Sequence, residues 1–331
     1  MSVPLGRNID HASRSDHVDH LGGSASPRVA ILMCTYQGVS FLEDQLDSIA
    51  AQTYQNWRLW VSDDGSTDGT CAVLSRYQTH WGAHRLSILS GPAAGSTANF
   101  LSLTCHLGIT ADFFAWADQD DLWEPNKLAL AVSWLRTQGR HMPALYAGRT
   151  ALIDAGNRPM GLSPLFARAP SFTNALVQSL AGGNTMVFNT AARELLIRAG
   201  YHVSVVAHDW WAYLLVTGCD GAVRYDPCPT VRYRQHGRNQ IGADLHPLNR
   251  MLRLRSLLGG EFSCWIDANL ASLENMQQHI TARNQRILEV FARSRRKALP
   301  QRLIGLCRSG VYRQTMVGNI GLAFAAILKR F

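Results

Sequence analysis

Apolar residues fall first into short unbroken runs along this chain, and later into helical spacing. Val29-Ala30-Ile31-Leu32-Met33-Cys34 is continuous, as in a parallel strand buried on both faces. Leu42, Leu46, Ile49 and Ala50 then repeat at helical spacing. Residues 57–62 read as a second strand, 70–77 as a helix and 86–89 as a third strand. This β-α-β-α-β alternation predicts a doubly wound, mostly parallel sheet. A helix follows through Asn99-Phe100 to Leu107, and Phe113–Ala117 reads as a central strand. Further strands are expected at 144–149, 185–188 and 222–234, with a helix opening near Asp209. Beyond Pro247 the strand signals stop. Ile266, Leu270, Leu273, Met276, Ile280, Ile287, Leu288 and Phe291 recur every three or four positions and predict one long amphipathic helix. The apolar run Val317–Leu328 falls short of the roughly 20 residues a membrane span takes.

Composition narrows the class. With 331 residues, 47% apolar and 17% charged, the chain reads as a soluble globular protein able to bury a sizeable core. Its seven cysteines are odd in number and include no Cys-x-x-Cys spacing, which argues against a disulfide framework or a structural zinc site and for a cytoplasmic location. Residues 1–26 lack the apolar stretch of a signal peptide and are expected to form a disordered leader, with His11, His17 and His20 part of that leader rather than of a metal site. Charge is uneven. Residues 280–331 hold eleven Lys or Arg and one acid, Glu289, a net +10 that leaves the remainder near −2. A basic end on a nearly neutral body predicts an anionic partner surface. No nucleic-acid recognition motif accompanies it, so a membrane is expected and nucleic acid is not.

Four clusters carry candidate chemistry. Asp118-Gln119-Asp120-Asp121 places three carboxylates directly after the central strand, at the sheet edge where open α/β folds bind ligands. Such mutual repulsion is tolerable beside a hard divalent cation; the plainer reading is a solvated turn in which Asp121 caps the next helix. Asp63-Asp64-Gly65-Ser66-Thr67-Asp68 can bond a ribose or base, or can be a turn in which Ser66 or Asp68 caps a helix. In His208-Asp209-Trp210-Trp211 a carboxylate beside aromatic rings can serve as a base, or Asp209 can be a helix cap with the tryptophans in the core. Arg232-Tyr233-Arg234-Gln235-His236-Gly237-Arg238-Asn239 offers arginines for a diphosphate and a histidine that is either a ligand or structural.

The order of these motifs, with Cys34-Thr35-Tyr36-Gln37 ahead of them, resembles glycosyltransferase family 2 over residues 28–242, and within it the bacterial rhamnosyltransferases of surface-polysaccharide assembly. The resemblance implies a GT-A fold: α/β, Rossmann-like, with a mostly parallel central sheet flanked by helices and here a C-terminal helical extension. The expected division is a leader at 1–26, a GT-A domain at 27–245 and a helical, basic region at 246–331. It implies an inverting transfer of a sugar, rhamnose or a relative, from a dTDP- or UDP-sugar to a glycan or lipid-linked saccharide, with Asp209 as the base. The nucleotide-sugar site is expected at Thr35, Tyr36, Gln37, Asp63, Asp64, Asn99, Asp118, Gln119 and Arg234. Acceptor contacts are expected from Gly183, Asn184, His208 and Trp210, where His208 stands in place of the Glu that many relatives carry. Mg²⁺ or Mn²⁺ is expected on Asp120, with Asp118 and His236. The enzyme is expected at the inner face of the cytoplasmic membrane. Two rival readings are a nucleotidyltransferase, which would usually show a basic glycine-rich loop where Thr35-Tyr36-Gln37-Gly38 has no Lys or Arg, and an inactive scaffold, which would be expected to lack acids at 118, 120 or 209.

Overall fold

The computed structural model describes residues 26–236 and 260–331. The expected leader up to residue 25, Asn239 of the basic motif and the expected boundary at 245/246 lie outside them. The first half alternates strand and helix: β1 (Val29–Thr35), α1 (Leu42–Ala50), β2 (Trp57–Asp63), α2 (Thr70–Trp81), β3 (Leu86–Ser90), α3 (Ser96–Cys105) and β4 (Phe113–Ala117). There follow β5 (Leu122–Trp123), α4 (Lys127–Leu135), β6 (Ala144–Asp154), β7 (Pro159–Leu162), α5 (Phe172–Ala175), β8 (Val187–Asn189), α6 (Thr190–Ala199), α7 (His208–Gly218) and β9 (Ala222–Gln235). Four helices end the chain: α8 (Glu261–Glu274), α9 (Ala282–Arg295), α10 (Leu299–Ser309) and α11 (Met316–Ile327).

The strands form one sheet in the order β3-β2-β1-β4-β8-β6-β9-β5, with β7 paired on β6. β1 runs parallel to β2 and β4, whereas β8 is antiparallel to both β4 and β6. β8 therefore joins a parallel half to a mixed half, and the run of acids that follows β4 begins at that seam. The continuous apolar runs have a physical basis in this layering. All seven residues of β1 are buried, with Val29, Ile31 and Met33 in the core on one side of the sheet and Ala30, Leu32 and Cys34 in the core on the other. Helices shield both faces, so no position of β1 has to be polar.

The C-terminal helices complete one of those cores. Phe262, Ile266, Leu273, Phe291 and Leu322 join the cluster that holds Trp211 and Leu214 of α7. Asn284 Nδ2 donates to the Thr217 and Gly218 carbonyls at the end of α7, at 3.0 and 3.1 Å, and Tyr312 Oη donates to the Ala169 carbonyl at 2.7 Å. The single long helix expected over 266–291 is two helices. Thr281 ends the break: its N–H donates to the Gly218 carbonyl at 3.1 Å, and its side chain caps α9 at the Asn284 N–H. A cap and a tertiary hydrogen bond thus override a periodicity that ran on unbroken. Among the described residues no helix is long and apolar enough to cross a membrane, and all seven cysteines are free.

Candidate active site

The end of β1 and the turn after β2 form one side of the site. Thr35 Oγ1 donates to Asp63 Oδ2 at 2.7 Å, and Ser66 donates its N–H and hydroxyl to the same carboxylate at 2.8 and 2.6 Å. Burial pushes the Asp63 carboxyl up, but these donors outweigh it and hold it below the usual carboxylate range. Asp64 accepts from the Ala93 and Gly95 N–H groups at 2.7 and 3.0 Å, which folds the 91–95 loop over the turn. Asp68 accepts from the Thr70 N–H at 3.1 Å just ahead of α2, but the N-cap of that helix is Gly69 with no side-chain cap bond, so neither Ser66 nor Asp68 is the cap. Tyr36 stands 58% exposed at the mouth, and Gln119 clasps its backbone N–H and carbonyl, both at 2.9 Å. A Cβ on Gly38 would collide with the Gln119 amide, so only glycine fits there without moving that clasp.

Three expected donor contacts are turned inward. Thr35 is 1% exposed and supports Asp63. Asn99, also 1% exposed, is engaged with Ser62 through both amide atoms. Arg234, expected on the diphosphate, is fully buried. Its guanidinium donates to the Asp120 carbonyl at 2.8 Å, to Asp44 Oδ2 at 3.0 Å and to Asn157, and lies 4.5 Å over the Phe41 ring. Arg234 therefore braces the acid turn from behind. Asp44 and Asn157 were missed by sequence reasoning. Asn157 had a signal, the Asp154-Ala155-Gly156-Asn157 turn, where its φ is +65°; Asp44 had none, being 190 residues from its partner.

The acid turn follows β4. Asp118 is driven far above the usual carboxylate range, first by burial and then by repulsion from Asp121, Asp120 and Asp209. Its carboxylate accepts no hydrogen bond from a described residue, which suits a position that a cation or a proton must neutralise. Asp120 Oδ2 lies 2.7 Å from His236 Nε2. Asp121 is fully buried, and burial ahead of Asp120 lifts its carboxyl to about 7 despite hydrogen bonds from Asn184 at 2.6 Å and the Arg234 N–H at 3.1 Å. Among the described residues, no three His, Cys, Asp or Glu side chains close into a preformed cage. Oxygen-rich, open and acid-laden, the turn fits a Mg²⁺ or Mn²⁺ ion that shares its coordination with substrate phosphate.

On the facing side, Asp209 lies in the first turn of α7. Its Oδ2 accepts from the Gly183 N–H at 3.1 Å and its Oδ1 from the Trp210 N–H. Burial wins over these donors and lifts its carboxyl to about 6. Three expected acceptor residues serve elsewhere. Asn184, 3% exposed, is spent on Asp121. His208 is 8% exposed, stacks 4.1 Å from the Phe100 ring and sits edge-on to Trp116; burial drives it down to about 3, so it is neutral. Trp210 is 6% exposed and donates to the Ala175 carbonyl at 2.6 Å. His208 and Trp210 are packed where the start of α7 meets α3 and α5, whereas Asn184 ties the 183–185 turn to the acid turn.

A model of the family described as Glycosyl transferase family 2 matches residues 30–195, half of the chain. The chain belongs to glycosyltransferase family 2. This family 2 enzyme is 27% identical over 226 residues to the dTDP-rhamnosyl transferase RfbG of Shigella flexneri, with 64% of this chain and 74% of that protein covered. It is 30% identical over 234 residues to an uncharacterized glycosyltransferase of Haemophilus influenzae, covering 67% and 70%. Its fold is similar to that of GalNAc-T7, solved with UDP, GalNAc and Mn²⁺, at a TM-score of 0.50 and 13% identity over 64% of this chain and 44% of that one. The GT-A architecture expected for the family 2 glycosyltransferase is the one observed.

Proposed function

We propose that this family 2 glycosyltransferase moves L-rhamnose or a closely related sugar from a dTDP- or UDP-linked donor to a glycan or lipid-linked saccharide, with inversion, in the assembly of a surface polysaccharide. The observation that carries the reading is Asp209: a half-buried carboxylate at a helix start, held by the Gly183 amide, within electrostatic reach of Asp118 across the site. Asp209 takes the proton of the acceptor hydroxyl as that oxygen bonds to the anomeric carbon. The bond from that carbon to the diphosphate breaks on the opposite side, and the nucleoside diphosphate leaves. One displacement inverts the centre. Tyr36, Gln37, Asp63 and Asp64 line the nucleoside end. Asp120, His236 and Asp118 would hold Mg²⁺ or Mn²⁺, whose charge offsets that of the leaving diphosphate. The rhamnose assignment draws on the similarity to RfbG. The basic C-terminal region places the enzyme against an anionic membrane on its cytoplasmic side.

The test is product formation from dTDP-rhamnose and UDP-sugars with Mn²⁺ and saccharide acceptors, with NMR of the new glycosidic bond. An inverted anomeric centre is expected. A retained one would overturn the reading.

A further inference from the structure

The last helix is apolar on two sides. Leu322, Ala325 and Ala326 face inward and are buried. At about 100° per residue, Met316, Val317, Ile320, Phe324, Ile327 and Leu328 fall on the other side, each at least 46% exposed. This arc follows the helix from its first turn to its end, and none of these six side chains bears a hydrogen-bonding group. The nearest polar residue, Asn319, is folded back onto the Arg313 and Thr315 carbonyls, both at 2.7 Å. Thr315 caps the helix at the Gly318 N–H, so the arc is held in a fixed orientation. An apolar stripe of this extent on a surface helix marks a contact site.

Charge narrows the partner. From Val290 to Phe331 there are nine Lys or Arg and no acid. Arg295 and Arg302 are turned inward, onto Asp267 and the Ala326 carbonyl. Arg308 at the end of α10, and Lys329 and Arg330 directly after α11, are exposed. A second copy laid on this face would oppose cations to cations. A protein partner typically adds about one hydrogen bond per 100–200 Å², and the arc offers none. A bilayer requires none.

We propose that α11 is a membrane-docking helix that lies side-on in an anionic bilayer, with Ile320, Phe324 and Ile327 inserted below the headgroups and Arg308, Lys329 and Arg330 at the phosphates. This rests on the reading that the basic region meets a membrane, and it adds that apolar insertion, not charge alone, holds the protein there. Because α11 and α7 share one core, docking also fixes the Asp209 end of the site relative to the bilayer.

The full chain is floated with liposomes of phosphatidylglycerol and phosphatidylethanolamine, and with pure phosphatidylcholine, at low and high salt. Wild type is expected to float with the anionic vesicles. The triple variant Ile320→Ser/Phe324→Ser/Ile327→Ser should lose at least about tenfold in partitioning, while Arg308→Gln/Lys329→Gln should lose affinity chiefly at low salt. Both variants should keep the wild-type Tm, since all five positions are exposed. If the triple variant floats as well as wild type while the charge variant does not, insertion is overturned and the membrane reading survives. If wild type floats with neither vesicle, both fall. A wild-type dimer in light scattering that the triple variant converts to a monomer would assign the arc to a second copy and overturn the proposal.

Discussion

Burial lifts the Asp209 carboxyl from an ordinary 3.8 to about 6, so folding favours its protonated form. The stability it contributes is full below 3.8 and is lost as the pH rises through 6. Its proposed service as a base runs the other way, because only the carboxylate accepts a proton. The transfer rate should therefore climb through about pH 6 and level off above it. Asp209→Asn should slow transfer by about 10²–10⁴-fold while donor affinity survives. At pH 8 the same variant should unfold at least as reluctantly as wild type, with a gain of about 1–2 kcal/mol. Parallel measurements of product formation, nucleotide-sugar binding and thermal unfolding check this; a fully active Asn variant would remove Asp209 from the chemistry. His208, next to it, is held neutral, so its stability contribution is present above its ordinary 6.5 and fades as the pH falls toward about 3. His208→Ala opens a gap between Phe100 and Trp116 and should cost about 2–4 kcal/mol in denaturant unfolding, with a smaller effect on rate than Asp209→Asn. At the acid turn, Asp120→Ala should abolish Mn²⁺-supported donor binding in calorimetry, and wild-type turnover that persists undiminished in EDTA would refute metal use.

Asp121 ties three elements together: the β4–β5 turn, the 183–185 turn through Asn184, and β9 through the Arg234 N–H. Asp121→Ala leaves two buried donors without partners and should cost about 2–4 kcal/mol. It should also reduce kcat/KM by about 10²-fold through misplacement of its neighbours, an effect steady-state kinetics would detect; wild-type kinetics in a destabilised protein would mean the tie is structural alone. The strands it joins were legible in the sequence, because a run buried on both faces, such as Val29–Cys34, has no other use for six consecutive apolar residues. The acids at the tip of β4 and Asp209 were legible as well, through their place after strands and at a helix start. The direction of the polar side chains was not. Arg234, Asn99, Asn184 and His208 occupy expected positions in the chain but are buried against partners within the protein, because a buried polar group is set by partners elsewhere, and Asp44 lies 190 residues from Arg234. Helix ends were obscure for the same reason. The break before α9 depends on the Gly218 carbonyl, about which the local pattern at 275–281 says nothing.

Across the whole molecule, the basic C-terminal region is a structural partner of the catalytic half. A chain ended at residue 259 would strip Phe262, Ile266, Leu273 and Phe291 from the cluster around α7. Four buried apolar side chains, each worth about 1.5–3 kcal/mol, together match the roughly 5–15 kcal/mol that keeps a typical domain folded. The truncated protein should be insoluble or lack near-UV dichroism; a soluble, cooperative unfolding transition would contradict this. The two sides of the sheet also close on different schedules. One core is built from residues between Val29 and Val231, the other from residues between Ala30 and Phe331. A chain refolding from denaturant, or emerging from a ribosome, can seal the first side while the second waits for the last hundred residues. In that interval the second core lacks its C-terminal members Phe262, Ile266, Leu273, Phe291 and Leu322, and the partly sealed core is a client for chaperones and a seed for aggregation until α8 to α11 arrive.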